Sequence, residues 1–518
     1  MNTSNTPAIL RSLIIYALCV PLAIWIGFLL ANPFDRSTFS YAGIFALILA
    51  APLLLRWHHP LMIVSWNLGM TIFFLPGNPP VWLLMITLSL GMSVLHRTIN
   101  DQVRFLSAPL ITWPLVFFTA VVVFTLKLRG GIGLNSLGSD TVGGKEYVTL
   151  LIAILGYFAL TAQRIPPRRV KLYVSLFFLA GCAAAIGDLA PYVPHQMYFL
   201  FAFFPVSGYD LEQAPGMVGF QARFAGMGMA GMCSFLFMLA RYGPREIFLT
   251  GRLWRPVLLA GFFALTMLGG FRSQIILCGA TFLVQCYLAR MHRTKLFPAF
   301  VLAGLVGVTL LIPFASKLPF TFQRSLAFLP LNLSRAARQD ADASRDWRLQ
   351  IWQDALATVP QYLLLGKGYA ISKHDLDVAS SKAFHYGSDR NLESVDIAGN
   401  YHSGPLSVVI YFGVWGCLAV LWFFIASLRA LYCNYRYGDA EFQSINIFLL
   451  AYFIVKVFLF LIIFGSLWSD MFTFTALIGL SVSINGGIRR PAPAPARVVD
   501  KASDAPPARP RFQPFFPR

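Results

Sequence analysis

Long apolar runs separated by short polar segments repeat along the chain from residue 12 to residue 485. Many of these runs approach the roughly 20 residues that an α-helix needs to cross the hydrocarbon core of a bilayer. The runs lack the alternation of apolar and polar residues that a membrane β-barrel requires, so helices must satisfy the backbone hydrogen bonds. The pattern predicts an all-α polytopic membrane protein with about 12–14 transmembrane helices.

One long polar interval, residues 315–403, interrupts this series and contains nine of the 22 acidic residues. It predicts a large external loop domain of mostly helical character. The predicted organisation is transmembrane helices 1–11 in residues 1–314, the loop domain in 315–403, transmembrane helices 12–14 in 404–485, and a disordered, basic, proline-rich tail in 486–518. The helix count stays open around residues 60–96, where Pro76, Pro79 and Pro80 separate short predicted spans at 60–75 and 81–96.

Within the loop domain, the segment SRDWRLQIWQDALATVP predicts an amphipathic helix whose apolar face contains Trp352, Leu356 and Val359. Ser344 is the expected N-cap, because serine side chains accept hydrogen bonds from the first free N–H groups of a helix. Pro360 is expected to end the helix, since proline lacks an N–H donor and clashes with the preceding turn.

Composition and charge agree with a membrane location. The chain is 57% hydrophobic and only 12% charged, far below the charged share of a typical soluble domain. Arginine and lysine concentrate in one alternating set of short loops, which the positive-inside rule places in the cytoplasm together with both termini. The formal charge of +19 has the same explanation, and without a soluble basic domain nucleic-acid binding is disfavoured. The seven cysteines show no metal-ligand spacing and indicate neither a zinc site nor a disulfide framework.

Three side chains able to carry positive charge are predicted at the external ends of different helices: Arg223, Arg272 and His402. Guanidinium groups bind phosphate oxygens bidentately, and histidine can take a proton from a hydroxyl group. The set predicts transfer of a group from a diphosphate to an alcohol at the outer leaflet. Because no suitably placed carboxylate cluster is present, we expect no metal ion. Glycines beside the arginines, including Gly228 and Gly269, predict close helix approach.

A histidine signature gives the clearest resemblance to a known family. His402 and Ser403 are followed, after nine intervening residues, by Gly413 and Gly416. This pattern resembles that of the O-antigen ligases, in which His followed by Asn, Ser or Gln precedes a Gly-x-x-Gly at the same spacing. The resemblance covers about residues 215–430. The Cys-Leu pair that follows departs from the Thr-Val common in ligases.

The loop domain is also similar to a pattern shared by O-antigen ligases and O-antigen polymerases. The matching positions are Arg348, Trp352, Pro360 and the Gly366-Lys367-Gly368 turn. Arg223 and Arg272 each resemble an external arginine of the family. The predicted number of spans exceeds the number usual in ligases, which leaves open whether the protein is a ligase or a relative.

Such enzymes take glycans from undecaprenyl diphosphate, invert the anomeric centre and need neither metal nor nucleotide. The resemblance implies that Arg223 and Arg272 hold the diphosphate and that His402 activates the acceptor hydroxyl. Ser403, within the signature, and Tyr401, which could stack on a sugar ring, are further candidates. The implied partners are an undecaprenyl-diphosphate-linked glycan donor, lipid A-core or another glycan acceptor, and membrane lipids, in the bacterial inner membrane.

Two other charged candidates have a structural alternative. Arg348 is expected to steady the loop domain or the donor, or equally to form a salt bridge with Asp346 or Asp354. Lys456, near the middle of a predicted span, is a functional candidate because an intramembrane charge is costly. It is expected to face the diphosphate or, as often, to pair with a carboxylate such as Asp470.

Three functions fit these observations. The first is a ligase that joins a lipid-linked glycan to lipid A-core or another acceptor, and the second is a polymerase that extends the glycan by the same chemistry. The third, from another class, is a flippase or transporter of lipid-linked sugar. A transporter needs polar residues along a path through the bundle, whereas the candidate residues gather at one face, which favours chemistry over transport.

Overall fold

The computed structural model describes residues 36–75, 77–100, 102, 104–129, 132–133, 141–206, 224–294, 297–372 and 400–490, with isolated helical positions between residues 16 and 27. Regular structure in this part of the chain is almost entirely helical, and the predicted all-α polytopic fold class is confirmed. Two short strands, β1 Thr141–Val142 and β2 Ile371–Ser372, pair antiparallel. Most of the predicted first span, residues 373–399 of the predicted loop domain, and the tail from residue 491 lie outside the described residues.

The described residues form sixteen α-helices. In chain order they are α1 Arg36–Ser65, α2 Val81–Ile99, α3 Pro109–Leu128, α4 Gly144–Thr161, α5 Val170–Leu179, α6 Ala185–Asp188, α7 Leu200–Phe203, α8 Ala225–Leu249, α9 Trp254–Met267, α10 Arg272–Leu288, α11 Phe297–Phe314, α12 Phe320–Ser325, α13 Arg335–Tyr362, α14 Gly404–Tyr437, α15 Gln443–Phe458 and α16 Leu467–Asn485. A π-helical turn, Leu459–Ile463, extends α15.

Seven helical segments of the described residues are long and apolar enough to cross a membrane. They are Val81–Ile99, Pro109–Leu128, Gly144–Thr161, Pro167–Asp188, Gly404–Tyr437, Ala440–Ile463 and Leu467–Asn485. The predicted total of 12–14 spans stays a prediction. The separate span predicted at 60–75 is wrong, because α1 continues through Pro60 to Ser65 and Gly69 then takes a positive φ of +68°.

Helices α4 and α16 pack against each other near the centre of the bundle. A glycine allows this approach, since a Cβ at Gly479 of α16 would press on Leu160 of α4. On another face of α4, a Cβ at Gly156 would overlap the ring of Trp66. Trp66 is 1% exposed and donates its indole N–H to the carbonyl of Phe472 at 3.3 Å. The centre is therefore stabilised by close backbone approach and packing, as is usual for membrane helices.

Helices α8 and α9 approach each other through glycine as predicted. A Cβ at Gly228 would overlap the backbone of Gly269, and one at Gly231 would overlap the backbone of Thr266. The predicted close approach at these glycines is confirmed. It holds the turn after α9 at the end of the bundle where α8 begins, and Arg272 follows that turn directly.

Helix α13 is longer than its apolar pattern indicates. The N-cap is Ser334, whose Oγ accepts a hydrogen bond from the N–H of Ala337 at 3.4 Å, so the prediction of Ser344 as N-cap is wrong. The prediction that Pro360 ends the helix is wrong, because the helix continues to Tyr362 and the missing N–H of Pro360 weakens only its last turn. Leu356, predicted on the apolar face, is 57% exposed. The residues that α13 buries are Ala337, Ala341, Ile351 and Ala355.

Helix α14 is broken at Gly413, and a turn of the loop domain fills the break. The backbone N–H groups of Lys367 and Gly368 donate to the carbonyls of Ile410 and Tyr411, at 2.7 Å and 3.0 Å. In an unbroken helix these carbonyls would accept bonds from residues four positions later in α14. The break thus exchanges internal hydrogen bonds for bonds that attach the loop domain to the membrane helix.

The break needs glycine on both sides. Gly413 has a φ of +63°, and a Cβ there would lie 2.7 Å from the carbonyl oxygen of Leu363. Gly366 has a φ of +69°, and a Cβ there would overlap the carbonyl of Tyr411. The N–H of Val414 donates to the carbonyl of Leu363 at 2.7 Å and completes the exchange. The first glycine of the Gly-x-x-Gly pattern therefore has a structural role, because only glycine tolerates both the conformation and the contact.

Candidate functional site

His402 lies two residues before α14, at the end of the loop domain. Its φ of +52° is left-handed, which is uncommon for residues other than glycine. The backbone N–H of His402 donates to the side-chain Oδ1 of Asn400 at 3.0 Å, an Asx turn that favours this conformation. Ser403 follows in extended conformation as the N-cap residue of α14, without a side-chain capping bond.

The imidazole ring of His402 is held between two aromatic rings. The ring centroids of Trp347 and Phe464 each lie 5.1 Å from that of His402. The Nδ1 atom is buried and has no hydrogen-bond partner among the described residues. Burial, and secondarily the charge of Arg348, lower the pKa of His402 to about 4. The ring is therefore neutral at physiological pH and has a lone pair available to accept a proton.

Arg348 lies beside His402 on α13. Its Cζ is 5.9 Å from the ring centroid of Phe464, the ring that also contacts His402. The Nε atom of Arg348 is buried without a hydrogen-bond partner in the part of the chain that the structure describes. Burial, followed by the charge of Arg272, lowers the pKa of the Arg348 guanidinium. Neither of the two alternative salt bridges of Arg348, to Asp346 or to Asp354, forms in the described residues, and Asp346 instead pairs with Arg345 at 3.1 Å.

Arg272 is the first residue of α10 and follows the positive-φ Gly270. Its Nη2 donates to the carbonyl of Ala341 on α13 at 3.3 Å. The neighbouring acid, Asp340, forms its ion pair with Arg324, at 3.1 Å. Among the described residues, no carboxylate lies within ion-pair distance of either arginine of the site. The site therefore carries two positive charges that are available to an anion.

One face of α13 brings these residues together. Ala341, which Arg272 contacts, lies seven residues before Arg348, so two helical turns place them on the same face. One turn further, the indole N–H of Trp352 donates to the carbonyl of Tyr401 at 3.0 Å. This bond attaches the residue before His402 to α13. The structure thus brings Arg272, Arg348 and His402 into one group.

Tyr401 and Lys456 occupy different surroundings. Tyr401 is 2% exposed, and its ring packs against Tyr411 with a centroid distance of 5.5 Å. Lys456 pairs with Asp470, with 2.6 Å between Nζ and Oδ1, which is one of the two alternatives expected for it. Direct contact of Tyr401, Lys456 or Ser403 with a substrate stays a prediction.

The Lys456–Asp470 pair stabilises the segment that carries Phe464. The second carboxylate oxygen of Asp470 accepts the backbone N–H of Ser466 at 2.9 Å. Ser466 is the N-cap residue of α16 and lies two positions after Phe464. The ion pair therefore supports the aromatic ring against which His402 and Arg348 lie.

Arg223 lies outside the described residues. The first described residue after it is Phe224, and α8 begins at Ala225. Near this start, the N–H of Met227 donates to the buried carboxylate of Asp188 at 2.7 Å. The role of Arg223 on the diphosphate stays a prediction.

Two aromatic residues of the site were not predicted from the sequence. Trp347 directly precedes the arginine of the loop pattern, and this adjacency was the available signal. Phe464 has no comparable signal, because it is one of 47 phenylalanines and lies at the end of an apolar run. Its position depends on the π-helical turn before it, which residue patterns do not reveal.

The chemistry available here is that of two guanidinium groups beside a neutral imidazole in a partly desolvated aromatic environment. Guanidinium donors suit an anion with several phosphate oxygens. The imidazole suits proton transfer from a hydroxyl group. Within the described ranges no group of three or more His, Cys, Asp or Glu side chains could hold a metal ion. A metal-independent reaction stays a prediction.

Comparison with known proteins agrees with the resemblance. Residues 256–421 match the family model described as O-antigen ligase. No curated protein matches the chain. The matched segment contains Arg272, Arg348, His402 and the break at Gly413, whereas Arg223 precedes it. The resemblance of this segment to the O-antigen ligase and polymerase family is confirmed.

Proposed function

We propose that the protein transfers a glycan from an undecaprenyl-diphosphate carrier to an acceptor hydroxyl at the outer face of the bacterial inner membrane. The family match supports an O-antigen ligase or polymerase type of function. The observation that carries the finer proposal is the group formed by Arg272, Arg348 and His402. It combines uncompensated positive charge with a neutral proton acceptor at the end of a membrane helix.

Arg272 and Arg348 bind the diphosphate of the donor. Both lack a carboxylate partner among the described residues, and the buried Nε of Arg348 has no acceptor there. A phosphate oxygen would supply that acceptor, and charge-assisted hydrogen bonds from guanidinium groups are among the strongest in proteins. As the glycosidic bond breaks, negative charge grows on the leaving diphosphate, so the same two groups stabilise the transition state more than the ground state.

His402 takes the proton of the acceptor hydroxyl. The hydroxyl oxygen forms a bond to the anomeric carbon while the bond from that carbon to the diphosphate oxygen breaks. The bonding electrons leave with undecaprenyl diphosphate, and the proton remains on the imidazole until it passes to solvent. A single displacement of this kind inverts the anomeric centre. This is the metal-independent, inverting chemistry that the resemblance implies.

The low pKa of His402 fits such a cycle. In the free protein, burial and the charge of Arg348 keep the imidazole neutral and therefore ready to accept a proton. A bound diphosphate brings negative charge next to the ring, which raises the proton affinity of the imidazole. The base therefore becomes stronger when the donor is in place, and the arginine that lowers its pKa is then neutralised by the substrate.

The experiment that tests this function uses the full-length protein in lipid nanodiscs with a purified lipid-linked glycan, with and without lipid A-core. Product on lipid A-core identifies a ligase, and longer glycan on the carrier identifies a polymerase. His402→Ala is expected to lower transfer by about 10²–10⁴-fold, the usual contribution of a general base. A flippase would instead move the intact donor between leaflets in reconstituted vesicles.

His292→Ala is the matched control. His292 is exposed and lies in a short 3₁₀ turn after α10, far in the fold from the proposed site. This variant is expected to transfer glycan like the unaltered protein. If His402→Ala also retained full transfer while remaining folded, His402 would have no part in the chemistry.

A further inference from the structure

A second polar site lies at the opposite end of the bundle from His402. A cavity of about 430 Å³ opens where α8 bends at Gly243, α10 and α14 end, and α15 begins. At about 1.5 Å per helical residue, the continuous part of α14 from Gly413 to Arg436 alone spans roughly 35 Å, and His402 lies beyond its other end. By the positive-inside prediction, this end of the bundle faces the cytoplasm.

Positive charge dominates the lining of the cavity. Arg245, Arg290 and Arg436 line it, and none of them has a carboxylate partner among the described residues. The acidic residue of the lining is Glu246, whose Oε1 pairs with Nη1 of Arg255 at 3.0 Å. The charge of Glu246 is thus already compensated, and the three arginines are available to an anion.

Buried polar atoms in the lining also lack partners. Gln285 is 0% exposed, and its Nε2 donates to the carbonyl of Leu239 at 3.0 Å. Its Oε1 is buried without a hydrogen-bond partner in the described residues, and so is Oγ of Ser444. Buried polar atoms in native proteins normally have partners. Two unsatisfied atoms in one cavity lining indicate that a polar ligand completes it.

The local backbone agrees with a ligand site. Ser444 lies in the first turn of α15, the end of the helix at which its dipole is positive. Arg290 has a left-handed φ of +57°. In the described part of the chain, the non-glycine residues with positive φ are Asn78, Arg290 and His402. Such conformations are retained where surrounding structure or function requires them.

We propose that this cavity binds a phosphate-bearing anion at the end of the membrane helices remote from His402. The three arginines and the Ser444 hydroxyl supply donors to phosphate oxygens, while Oε1 of Gln285 accepts a hydrogen bond from a hydroxyl group of the same ligand. The cavity exceeds the size of inorganic phosphate and lies at helix ends, where lipid headgroups lie. The phosphoglycerol headgroup of an anionic membrane lipid meets these requirements, and free phosphate shares the chemistry. Anion binding in this cavity is independent of glycan transfer at His402.

The test measures lipid binding to the full-length protein by native mass spectrometry after reconstitution with phosphatidylglycerol or phosphatidylcholine. We expect phosphatidylglycerol to be retained, and Arg290→Gln with Arg436→Gln to weaken its binding about tenfold or more. Arg293→Gln is the matched control, because Arg293 lies three residues from Arg290, is exposed and does not line the cavity. Inorganic phosphate distinguishes the two sources. If the protein retains no phosphatidylglycerol but binds inorganic phosphate, the ligand is a soluble one, which also supports the proposal.

A second variant distinguishes a loss of ligand binding from a loss of folding. Ser444→Asp adds negative charge inside the cavity without removing an arginine and is expected to weaken binding in the same assay. Unchanged thermal unfolding in phosphatidylcholine would show that the variants are folded. The proposal would be overturned if the double arginine variant and Ser444→Asp bound phosphatidylglycerol and phosphate as tightly as the unaltered protein does.

Discussion

The imidazole of His402 and the guanidinium of Arg348 lie against the same aromatic ring. The ring centroid of Phe464 is 5.1 Å from that of His402 and 5.9 Å from Cζ of Arg348. The charge of Arg348 contributes to the low pKa of His402, and the charge of Arg272 acts on Arg348 in turn. The protonation of His402 is therefore electrostatically coupled to the charges of the two arginines, and an anion bound to them would change it.

The first prediction concerns pH. The proposed reaction needs neutral His402, whose pKa in the free protein is about 4. Protonation therefore removes activity only on the acid side, and kcat/KM should stay level between about pH 5.5 and 7.5 as far as this group is concerned. Arg348→Gln removes one cause of the low pKa, so the acid limb of kcat/KM should move to higher pH, in addition to any loss of donor binding.

Arg345→Gln serves as the control for this measurement. Arg345 is on the same helix but is exposed and pairs with Asp342 and Asp346. Its replacement should leave the pH profile unchanged. An acid limb at the same pH in Arg348→Gln and in the unaltered protein would contradict the coupling between Arg348 and His402.

The second prediction concerns the geometry of anion binding. Arg272→Lys and Arg348→Lys keep the charge but lose the planar fork that binds two phosphate oxygens at once. Hydrogen bonds to charged groups contribute about 1.5–3 kcal/mol, so each variant should lower kcat/KM by about 10- to 100-fold. The assay is transfer from the lipid-linked donor, with Arg345→Lys as the control. Unimpaired transfer in both variants would argue against guanidinium binding of the diphosphate.

The third prediction concerns the break in α14. Gly413→Ala and Gly366→Ala each place a Cβ against backbone atoms and force a left-handed conformation on alanine. Each should destabilise the fold by about 1–3 kcal/mol and reduce transfer, because the turn after α13 can no longer fill the break. Gly279→Ala is the control, since a Cβ at Gly279 meets no atom within 4 Å. Thermal unfolding in detergent measures the difference, and equal unfolding temperatures for all three variants would disprove this role.

The fourth prediction concerns the intramembrane ion pair. Lys456→Met or Asp470→Leu alone leaves one charge in the bundle without its partner, and should destabilise by about 3–5 kcal/mol. The double variant should be less destabilised than the sum of the two single variants, because no unpaired charge remains. A double-mutant cycle by chemical unfolding measures this coupling. Additive effects would show that the pair contributes little to the support of the Phe464 segment.

Much of the fold could be predicted because it depends on local properties. The length of apolar runs predicts the membrane helices, and glycine spacing predicts the approach of α8 and α9. The start of α13 could not be predicted in this way, since the polar stretch after Ser334 has good helix formers but no apolar period. Two serines compete there as N-caps, and the contacts of the loop domain select the earlier one.

The site was predictable only in part. His402 and Arg272 stand out as polar residues at helix ends, and the structure groups them through α13. The proximity of Arg348 to both depends on the length and direction of that helix, which a pattern of residues does not determine. The aromatic rings of Trp347 and Phe464 come from separate segments, and apolar residues in a membrane protein carry no signal that distinguishes a site from a core.

The most direct measurement is an electron cryomicroscopy structure of His402→Ala in nanodiscs with the lipid-linked glycan donor bound. The prediction is a diphosphate within hydrogen-bond distance of the Arg272 and Arg348 guanidinium groups, with the first sugar facing the position of the removed imidazole. A donor diphosphate bound elsewhere, with both guanidinium groups free of phosphate contacts, would contradict the proposed site.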